Sequence, residues 1–252
     1  MEPAFTVVIC TWKRIESFPW QIANLLSQTR RDFRVFVWNN NGPEAGRLEK
    51  LVAAANRDIY SPDGRPLNIK IHHSPQNVAG WGRFYAVRDE MVTGPVVFLD
   101  DDLLLAPDGL DTLMKFYKER VLAGRWAWNL NHPRAFFPRR TRCKPGQTAD
   151  FIGTGGMVMD PELLQQDWFY DKRPVEIGRQ IDKFLVPGPV DRLAEDLWVS
   201  VMARDAGYTL IATPEVCVTV IDGHNQSDTT GAMPGKQRLY EWIQDRKQAK
   251  AG

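Results

Sequence analysis

An excess of charge of one sign is absent from this sequence: its 32 lysines and arginines are balanced by 31 aspartates and glutamates, for a formal net charge of +1. Such a balance produces no overall field that would attract nucleic acid or an acidic membrane surface. One strongly basic stretch, His132–Gly146, still allows a local anionic partner. The charge balance therefore argues against general polyanion binding without excluding a local patch.

Long hydrophobic runs are also absent, and no apolar stretch approaches the roughly 20 residues that a membrane-spanning helix needs. Near the start of the sequence, Lys13 and Arg14 follow a short apolar stretch, whereas a signal peptide has its cations first. We therefore expect no transmembrane segment and a cytoplasmic location.

Cysteine is scarce. Cys10, Cys143 and Cys217 are far apart, odd in number and form no C-x-x-C pair. This spacing indicates neither a disulfide framework nor a cysteine-rich zinc site. Cys10 and Cys217 lie in apolar, strand-like runs, and we expect them to be buried thiols in a reducing compartment.

The composition is that of an ordinary globular domain. Of the 252 residues, 43% are hydrophobic and 25% are charged, which is enough to form a substantial core. No internal repeat, low-complexity segment or change of composition marks a boundary. We therefore predict a single domain over residues 1–252.

The first half of the sequence alternates short apolar runs with amphipathic segments. The runs are rich in β-branched and aromatic residues, and the segments between them have apolar residues at helical spacing. Strands are expected over Phe5–Trp12, Phe33–Asn41, Leu67–Ser74 and Pro95–Asp102, with a helix between each pair. The resulting β-α-β-α-β-α-β order implies a mainly parallel sheet with right-handed crossovers.

The second half is less regular. A helix is expected over Gly109–Val121, a strand or loop over Phe151–Asp160, and a helix over Leu193–Ala206 that ends at Gly207. The run TLIATPEVCVTVID is expected to form a strand pair or a bent strand, because Pro214 interrupts it.

Polar side chains follow three of the predicted strands. They are Thr11–Arg14, Asn39–Asn41 and Asp100–Asp102. The carboxyl ends of parallel strands lie at one edge of a sheet, where open α/β folds bind their ligands. We therefore expect a ligand site at this edge.

Asp100, Asp101 and Asp102 give the strongest chemical signal. Three carboxylates directly after a buried strand repel one another unless a cation lies among them. Carboxylate and phosphate oxygens suit hard ions such as Mg²⁺ and Mn²⁺. The alternative is a solvated acidic turn or a helix N-cap, but the position at a strand end with other polar strand ends nearby favours a metal site.

The order of these motifs resembles that of GT-A nucleotide-sugar glycosyltransferases, especially the family 2-like group and, in parts, the exostosin-type domain. VVICTWKR resembles their opening strand and its nucleotide-contacting loop, and VFVWNNN their second strand end. NVAGWGRFYAV is similar to the N-x-G-x-x-x-x-x-N segment, and FLDDD to the D-x-D strand end. AEDLWVSVMARDAG resembles the E-D helix, and DGHNQSD offers a late histidine.

The resemblance implies an α/β fold of the GT-A type, with a Rossmann-like, mainly parallel sheet flanked by helices and a smaller acceptor-side region in the second half. It implies a nucleotide-sugar and metal half in about residues 1–105, an acceptor half in about 106–230 and a C-terminal helix in about 235–250.

Donor contacts are implied at the strand ends and in the loop before the third helix. Glycine lets a backbone approach a ligand, and arginine can pair with phosphate. Asn39 and Asn40 replace the acidic residue that is common at this strand end, so the sequence does not identify the nucleobase of the donor. A UDP-sugar is the expected donor. The implied donor-binding residues are Thr11, Arg14, Asn39, Asn40, Asn77, Gly80, Arg83, Asp100 and Asp101.

A Mn²⁺ or Mg²⁺ ion is implied at Asp102, Asp100 and His224. Asp102 is the expected main ligand, Asp100 contacts the ribose or the metal, and Asp101 could take either role. The ion would neutralise charge on the departing nucleoside diphosphate. A loop histidine such as His224 could equally be a polar surface residue.

Glu195 and Asp196 open a predicted helix. Adjacent helical residues point about 100° apart, so only one can point fully into a cleft. In inverting members of the resembled group the aspartate is the general base, which implies Asp196 as the base and Glu195 as a residue that orients the acceptor or a loop. The alternative is that both carboxylates only interact with the helix dipole.

The acceptor side is implied at Gly155 and Gly156, which resemble a small-residue strand beside the sugar, and at Trp198, since aromatic rings stack on sugars. A tight bend is the alternative for the glycines. The stretch His132–Gly146 alternates arginines with phenylalanines, which suits a polyanionic acceptor or single-stranded nucleic acid. A solvated loop over the donor site is the other interpretation.

The sequence thus predicts metal-dependent transfer of a hexose-type sugar from a nucleoside diphosphate to a hydroxyl group. One alternative is a glycosyltransferase that acts on modified bases in DNA, and another is a non-catalytic glycan- or nucleic-acid-binding module. A nucleotidyltransferase would need a glycine-rich phosphate loop, which TWKRIES lacks. The family 2 likeness favours inversion and the exostosin likeness favours retention, so the stereochemistry stays open.

Overall fold

A computed structural model describes residues 3–57, 66–132, 140–171, 194–220 and 236–245. The elements of the first half, in order, are β1 (Phe5–Thr11), α1 (Phe18–Leu26), β2 (Phe33–Asn39), α2 (Ala45–Ala55), β3 (Ile69–His73), α3 (Gly82–Asp89) and β4 (Val96–Asp100). The predicted β-α-β-α-β-α-β order is therefore confirmed.

The second half has shorter elements. They are β5 (Leu103–Leu105), α4 (Gly109–Phe116), β6 (Val121–Gly124), β7 (Ala127–Leu130), β8 (Arg140–Arg142), β9 (Phe151–Ile152), β10 (Met157–Met159), α5 (Asp167–Asp171), α6 (Glu195–Asp205), β11 (Thr209–Ala212) and β12 (Cys217–Val220). Residues 236–245 form a further helix, α7.

Seven strands form the main sheet, in the order β11-β6-β10-β4-β1-β2-β3. β10 runs antiparallel to both of its neighbours, and the other pairings in this sheet are parallel. Two smaller sheets pair β12 with β5, and β7 with β8 and β9. The predicted α/β class with a mainly parallel sheet is thus confirmed.

Both faces of the main sheet are covered. Phe5, Val7 and Ile9 of β1 pack with apolar residues of α1, α2 and α4 on one face, while Val8 and Cys10 pack with α3, α6 and α7 on the other. Every residue of β1 is buried, as expected for a parallel strand between two helical layers. This rigid core fixes the strand ends that carry the polar clusters.

Two predicted boundaries are wrong for identifiable reasons, and the interruption predicted near Pro214 is present. The predicted strand Pro95–Asp102 ends at Asp100, because the next carboxylate turns inward to bind the loop after β1. The predicted helix Gly109–Val121 ends at Phe116, since Tyr117 is extended and Val121 starts a strand. The run after Gly207 forms two strands in different sheets, and Gly207 itself ends α6 with a φ of +85° as expected.

Two expectations from composition have structural outcomes. All three cysteines are free thiols; Cys10 and Cys143 are buried, whereas Cys217 is only half-buried. No helix in the described ranges combines the length and the apolar character that crossing a bilayer requires.

Candidate active site

The predicted strand ends meet at one edge of the sheet. Thr11 at the end of β1 pairs with Asn39 at the end of β2, and Cys10 pairs with Asp100 at the end of β4, all in parallel register. The polar clusters that are distant in sequence are therefore neighbours in space, as expected of an open α/β sheet.

Asp101 is an anchor of this edge and is 8% exposed. One carboxylate oxygen accepts hydrogen bonds from the Thr11 hydroxyl and the Trp12 backbone N–H, both at 3.1 Å. The other lies 2.9 Å from Nη1 of Arg14. Burial raises the pKa of Asp101, while Arg14 opposes the shift. The Asp101 and Thr11 side chains bind each other, and a contact of either with a donor stays a prediction.

Asp102 lies beside the same guanidinium, with its Oδ2 2.9 Å from Nη1 of Arg14. Burial and, after it, the Asp100 carboxylate raise the pKa of Asp102 to about 6. Burial and like charge both disfavour the ionised form, and a cation placed between the two carboxylates would relieve both effects.

Asp100 is the most open of the three aspartates, with 37% of its side chain exposed. Its Oδ1 binds Nη1 of Arg83 at 2.8 Å. Gly155 lies directly behind it, since a Cβ on that glycine would be 2.3 Å from Asp100 Oδ2. The Gln21 amide donates to the Asp100 carbonyl at 2.7 Å and so holds the end of β4.

At this edge the described residues would supply only part of the coordination shell of a divalent ion, and a bound diphosphate or water would supply the rest. Among the described residues, no three His, Cys, Asp or Glu side chains converge as a metal-binding group. Asp100 and Asp102 remain as a carboxylate pair, and Mg²⁺ is commonly held by one or two carboxylates together with substrate phosphates and water. His224, the third predicted ligand, lies outside the described residues.

Asn40 shapes the loop that precedes α3. Its Oδ1 accepts the Val78 N–H at 3.1 Å, and its Nδ2 donates to the Ala79 carbonyl at 3.0 Å. Asn77 closes the same turn by accepting the Ala79 N–H at 2.8 Å. These bonds hold Ala79 at a φ of +50°, a conformation that residues other than glycine rarely adopt.

Asn39 joins β2 to its neighbours. It is fully buried, its Nδ2 lies 2.9 Å from His73 Nδ1, and its Oδ1 accepts the Asn41 N–H at 2.8 Å. The amide groups of Asn39 and Asn40 are thus used inside the protein. Their predicted contact with a nucleotide stays a prediction, and the structure gives them a role in holding the loops.

Arg83 connects the end of β4 to the loop before α3. It is buried, and its Nε donates to the Gly80 carbonyl at 3.1 Å while Nη1 binds Asp100. Burial alone would lower the pKa of this guanidinium, but the Asp100 and Glu195 carboxylates raise it above its ordinary value. One buried cation therefore lies in the field of both carboxylates.

Glu195, the first residue of α6, is 9% exposed and packs against Gly80. Burial and then the adjacent Asp196 raise the pKa of Glu195 to about 7, and Arg83 and Lys236 oppose the shift. A carboxyl group with such a pKa exchanges protons near neutrality, as acid–base catalysis requires.

Asp196 has both oxygens engaged. Oδ1 accepts the Leu197 N–H at 2.7 Å, and Oδ2 binds the Lys236 ammonium at 2.8 Å. The two side chains of this ion pair are each 15% exposed. The sequence did not single out Lys236, because a lone lysine at the start of an amphipathic helix gives no signal.

Gly155 and Gly156, which were predicted to lie on the acceptor side, are found where the chain passes from β9 to β10. Gly156 has a φ of +78°, so a tight bend is present at this point. Gly155 lies against Asp100, and its carbonyl accepts a hydrogen bond from Nε of Arg125 at 3.1 Å. A side chain at position 155 would therefore displace the Asp100 carboxylate.

The prediction for Trp198 is wrong. Its side chain is 1% exposed, and its indole N–H donates to the Phe169 carbonyl at 3.2 Å. The ring belongs to the core beneath α6 and has no open face for a sugar.

The basic stretch is described only in part, since 133–139 lie outside the described residues. Arg140 lies over the Trp128 ring at 4.1 Å. Arg142 pairs with Glu215 at 3.2 Å, and Arg125 pairs with the same carboxylate at 2.9 Å. The guanidiniums of this surface thus already contact aromatic rings or a carboxylate.

The fold is that of the GT-A glycosyltransferases, as the sequence predicts. The chain is similar to S. aureus TarS, with a TM-score of 0.51 and 15% identity over 86% of this chain and 36% of that one. Residues 1–349 of TarS in complex with UDP-GlcNAc give a TM-score of 0.51 and 14% identity over 91% of this chain and 61% of that one. The chain thus spans less than two thirds of the length of either TarS structure.

A mannosyltransferase from Pyrobaculum calidifontis, PcManGT, in complex with GDP-Man and Mn²⁺, gives a TM-score of 0.51 and 14% identity. The similarity covers 100% of this chain and 76% of that one. No protein-family model and no curated protein sequence matches the chain. Structural likeness at this level of identity establishes the fold alone.

Gly80→Ala should displace Glu195 and lower the sugar transfer that is proposed below, with little change in stability. An added Cβ would lie 2.0 Å from Oε1 of Glu195, so this flexible carboxylate has to swing away. Gly46→Ala is the matched control, because that helical glycine has open space around it and alanine favours a helix. Thermal unfolding and the rate of sugar transfer would be compared, and unchanged transfer by Gly80→Ala would contradict the assigned contact.

Proposed function

We propose that the chain is a glycosyltransferase that moves a sugar from a nucleoside diphosphate to a hydroxyl group and depends on a divalent metal ion. The observation that carries this proposal is the line of contacts from Asp100 through Arg83 to Gly80 and Glu195. It joins a carboxylate of the expected metal site, Asp100, to the start of the helix that carries the expected base. The GT-A fold supports the same assignment.

The donor half of the site supports a diphosphate–metal pair. Asp102 and Asp100 are the proposed ligands of Mn²⁺ or Mg²⁺, which would stabilise the negative charge of the departing nucleoside diphosphate. Arg14 lies beside Asp102, and Arg83 beside Asp100, each within 2.9 Å. Similar structures contain UDP-GlcNAc or GDP-Man with Mn²⁺, and a UDP-sugar remains the proposed donor.

Asp196 is the proposed general base. It would take the proton of the acceptor hydroxyl as that oxygen bonds to the anomeric carbon and the bond from that carbon to the diphosphate oxygen breaks. Glu195, held against Gly80, is proposed to fix the loop before α3 relative to this base. Direct displacement of this kind inverts the configuration of the anomeric carbon. We therefore propose an inverting reaction, in which Asp196 and Glu195 have these two roles.

The acceptor and the location remain predictions. The basic stretch His132–Gly146 makes a modified base in DNA an alternative acceptor. Arg140 and Arg142 already contact Trp128 and Glu215, which makes them less available to phosphates. A non-catalytic binding module is the alternative from another class, and turnover of any donor would exclude it. The single-domain boundaries and a cytoplasmic location are retained as proposals.

The test of this function is nucleotide release from a panel of UDP- and GDP-sugars. With Mn²⁺ or Mg²⁺ the protein should release the nucleoside diphosphate from one donor of the panel, at a rate that rises when the correct acceptor is added. The same assay in excess chelator should show a loss of activity. Undiminished release in chelator would contradict the metal dependence, and failure to bind or turn over any donor would contradict the proposed function.

A further inference from the structure

Lys236 and Asp196 form an ion pair that the reaction outlined above does not use. Lys236 begins the described part of α7, and its Nζ lies 2.8 Å from Asp196 Oδ2, with each side chain 15% exposed. The helix itself is fixed to the core, because Leu239, Tyr240 and Ile243 are buried. The packing of α7 against the core thus places Lys236 beside Asp196.

The titratable groups that surround the pair within the described part of the chain lie on α6, α3, β1 and β8. Glu195 precedes Asp196 in α6, Arg83 of α3 and the Cys10 thiol of β1 face Glu195, and Arg140 of β8 faces Asp196 and Lys236. Burial tends to lower the pKa of Lys236, and the Asp196 and Glu195 carboxylates raise it more strongly. Lys236 therefore stays an ammonium ion at the side of two adjacent carboxylates.

The two adjacent carboxylates have different surroundings. Glu195 is buried and lies against Gly80, whereas Asp196 keeps 15% of its side chain exposed and contacts the ammonium. The ammonium therefore orients the Asp196 carboxylate, and the Glu195 carboxylate contacts the loop before α3 instead.

We propose that Lys236 is a positioning residue that holds the Asp196 carboxylate in the orientation in which it accepts the proton of the acceptor hydroxyl. This inference rests on the proposed function, since it specifies how the base of that reaction is prepared. The backbone N–H of Leu197 holds the second oxygen of the same carboxylate at 2.7 Å, so the orientation is set from both sides.

The test compares Lys236→Met, which keeps the length of the side chain but removes the charge, with Lys236→Arg, which keeps the charge. Lys115→Met is the matched control, because Lys115 pairs with Asp111 on the exposed face of α4. In the ligand-free protein, the amide NMR resonance of Leu197, whose N–H donates to Asp196, should shift in Lys236→Met because the carboxylate is no longer held from its other side. The arginine variant and the control should give the wild-type resonance.

Transfer kinetics give the second readout. Lys236→Met should lower kcat roughly tenfold and leave KM for the donor unchanged. The loss in kcat follows because the base is no longer held in one orientation toward the acceptor hydroxyl. Lys236→Arg should restore most of kcat.

The outcomes separate this inference from the proposed function. An active Lys236→Met protein with wild-type kcat, wild-type KM and an unchanged Leu197 resonance would overturn the positioning role and leave the glycosyltransferase proposal standing. A wild-type protein that turns over no donor would overturn both. A loss of thermal stability in Lys236→Met, with normal kinetics in the folded fraction, would reduce the lysine to a structural role and so also overturn the inference.

Discussion

Asp196→Asn should keep donor affinity while lowering sugar transfer by about 10²–10⁴-fold, which is the usual contribution of a positioned general base. The amide has nearly the shape of the carboxylate but cannot take a proton from a hydroxyl group. It also offers one acceptor oxygen where the native residue satisfies two donors, Leu197 N–H and Lys236. A stability cost of about 1–3 kcal/mol is therefore expected beside the kinetic loss.

Donor binding by calorimetry and single-turnover transfer would separate the two effects. Asp205→Asn, an exposed position at the other end of α6, is the matched control and should behave like the wild type. If Asp196→Asn lost metal-dependent donor binding but retained the chemical step, Asp196 would belong to the donor site and the assignment of the base would be wrong.

Asp102→Ala should reduce metal-dependent donor binding and turnover by at least about 100-fold, because one preorganised charge at the diphosphate is removed. The fold should survive. Arg14 keeps its contact with Asp101 at 2.9 Å. Burial and the Asp100 carboxylate disfavour the ionised form of Asp102 in the native protein, so its removal should cost little stability.

The measurement pairs Mn²⁺ and donor titrations with a thermal melt. Asp108→Ala serves as the control, since Asp108 is an exposed residue just before α4 and away from the strand end. Wild-type metal affinity in Asp102→Ala would refute its role as a ligand, whereas a large drop in melting temperature would show that the carboxylate is needed for the fold.

The N-terminal half could be predicted from local sequence because its signals are local. Each strand is a short apolar run that ends in polar residues, and each helix has its own apolar face, so the order of elements and the shared edge followed directly. The end of β4 could not be predicted in this way. The strand stops at Asp100 because Asp101 turns to Arg14, a partner 87 positions away.

The sequence predicted which residues lie near the candidate site better than it predicted what their side chains contact. Asparagines after β2 fit a nucleotide contact in sequence, yet Asn40 holds the loop before α3. Trp198 fitted a sugar platform, but its place on α6 faces the core. Lys236 was not recognised, because its pairing with Asp196 depends on how α7 packs against the sheet, and no local pattern encodes such a contact.

The order of strands in the main sheet also constrains how the chain assembles on the ribosome. β1, β2, β3 and β4 find parallel partners among themselves, within the first hundred residues to be made. β6, by contrast, lies between β10 and β11, which are both synthesised later. Domains form from the N-terminal side as residues emerge at about 5–20 per second, and an unpaired strand edge can recruit wrong partners. Val121–Gly124 therefore has both edges open until Met157–Met159 leave the ribosome, and one edge open until Thr209–Ala212 follow.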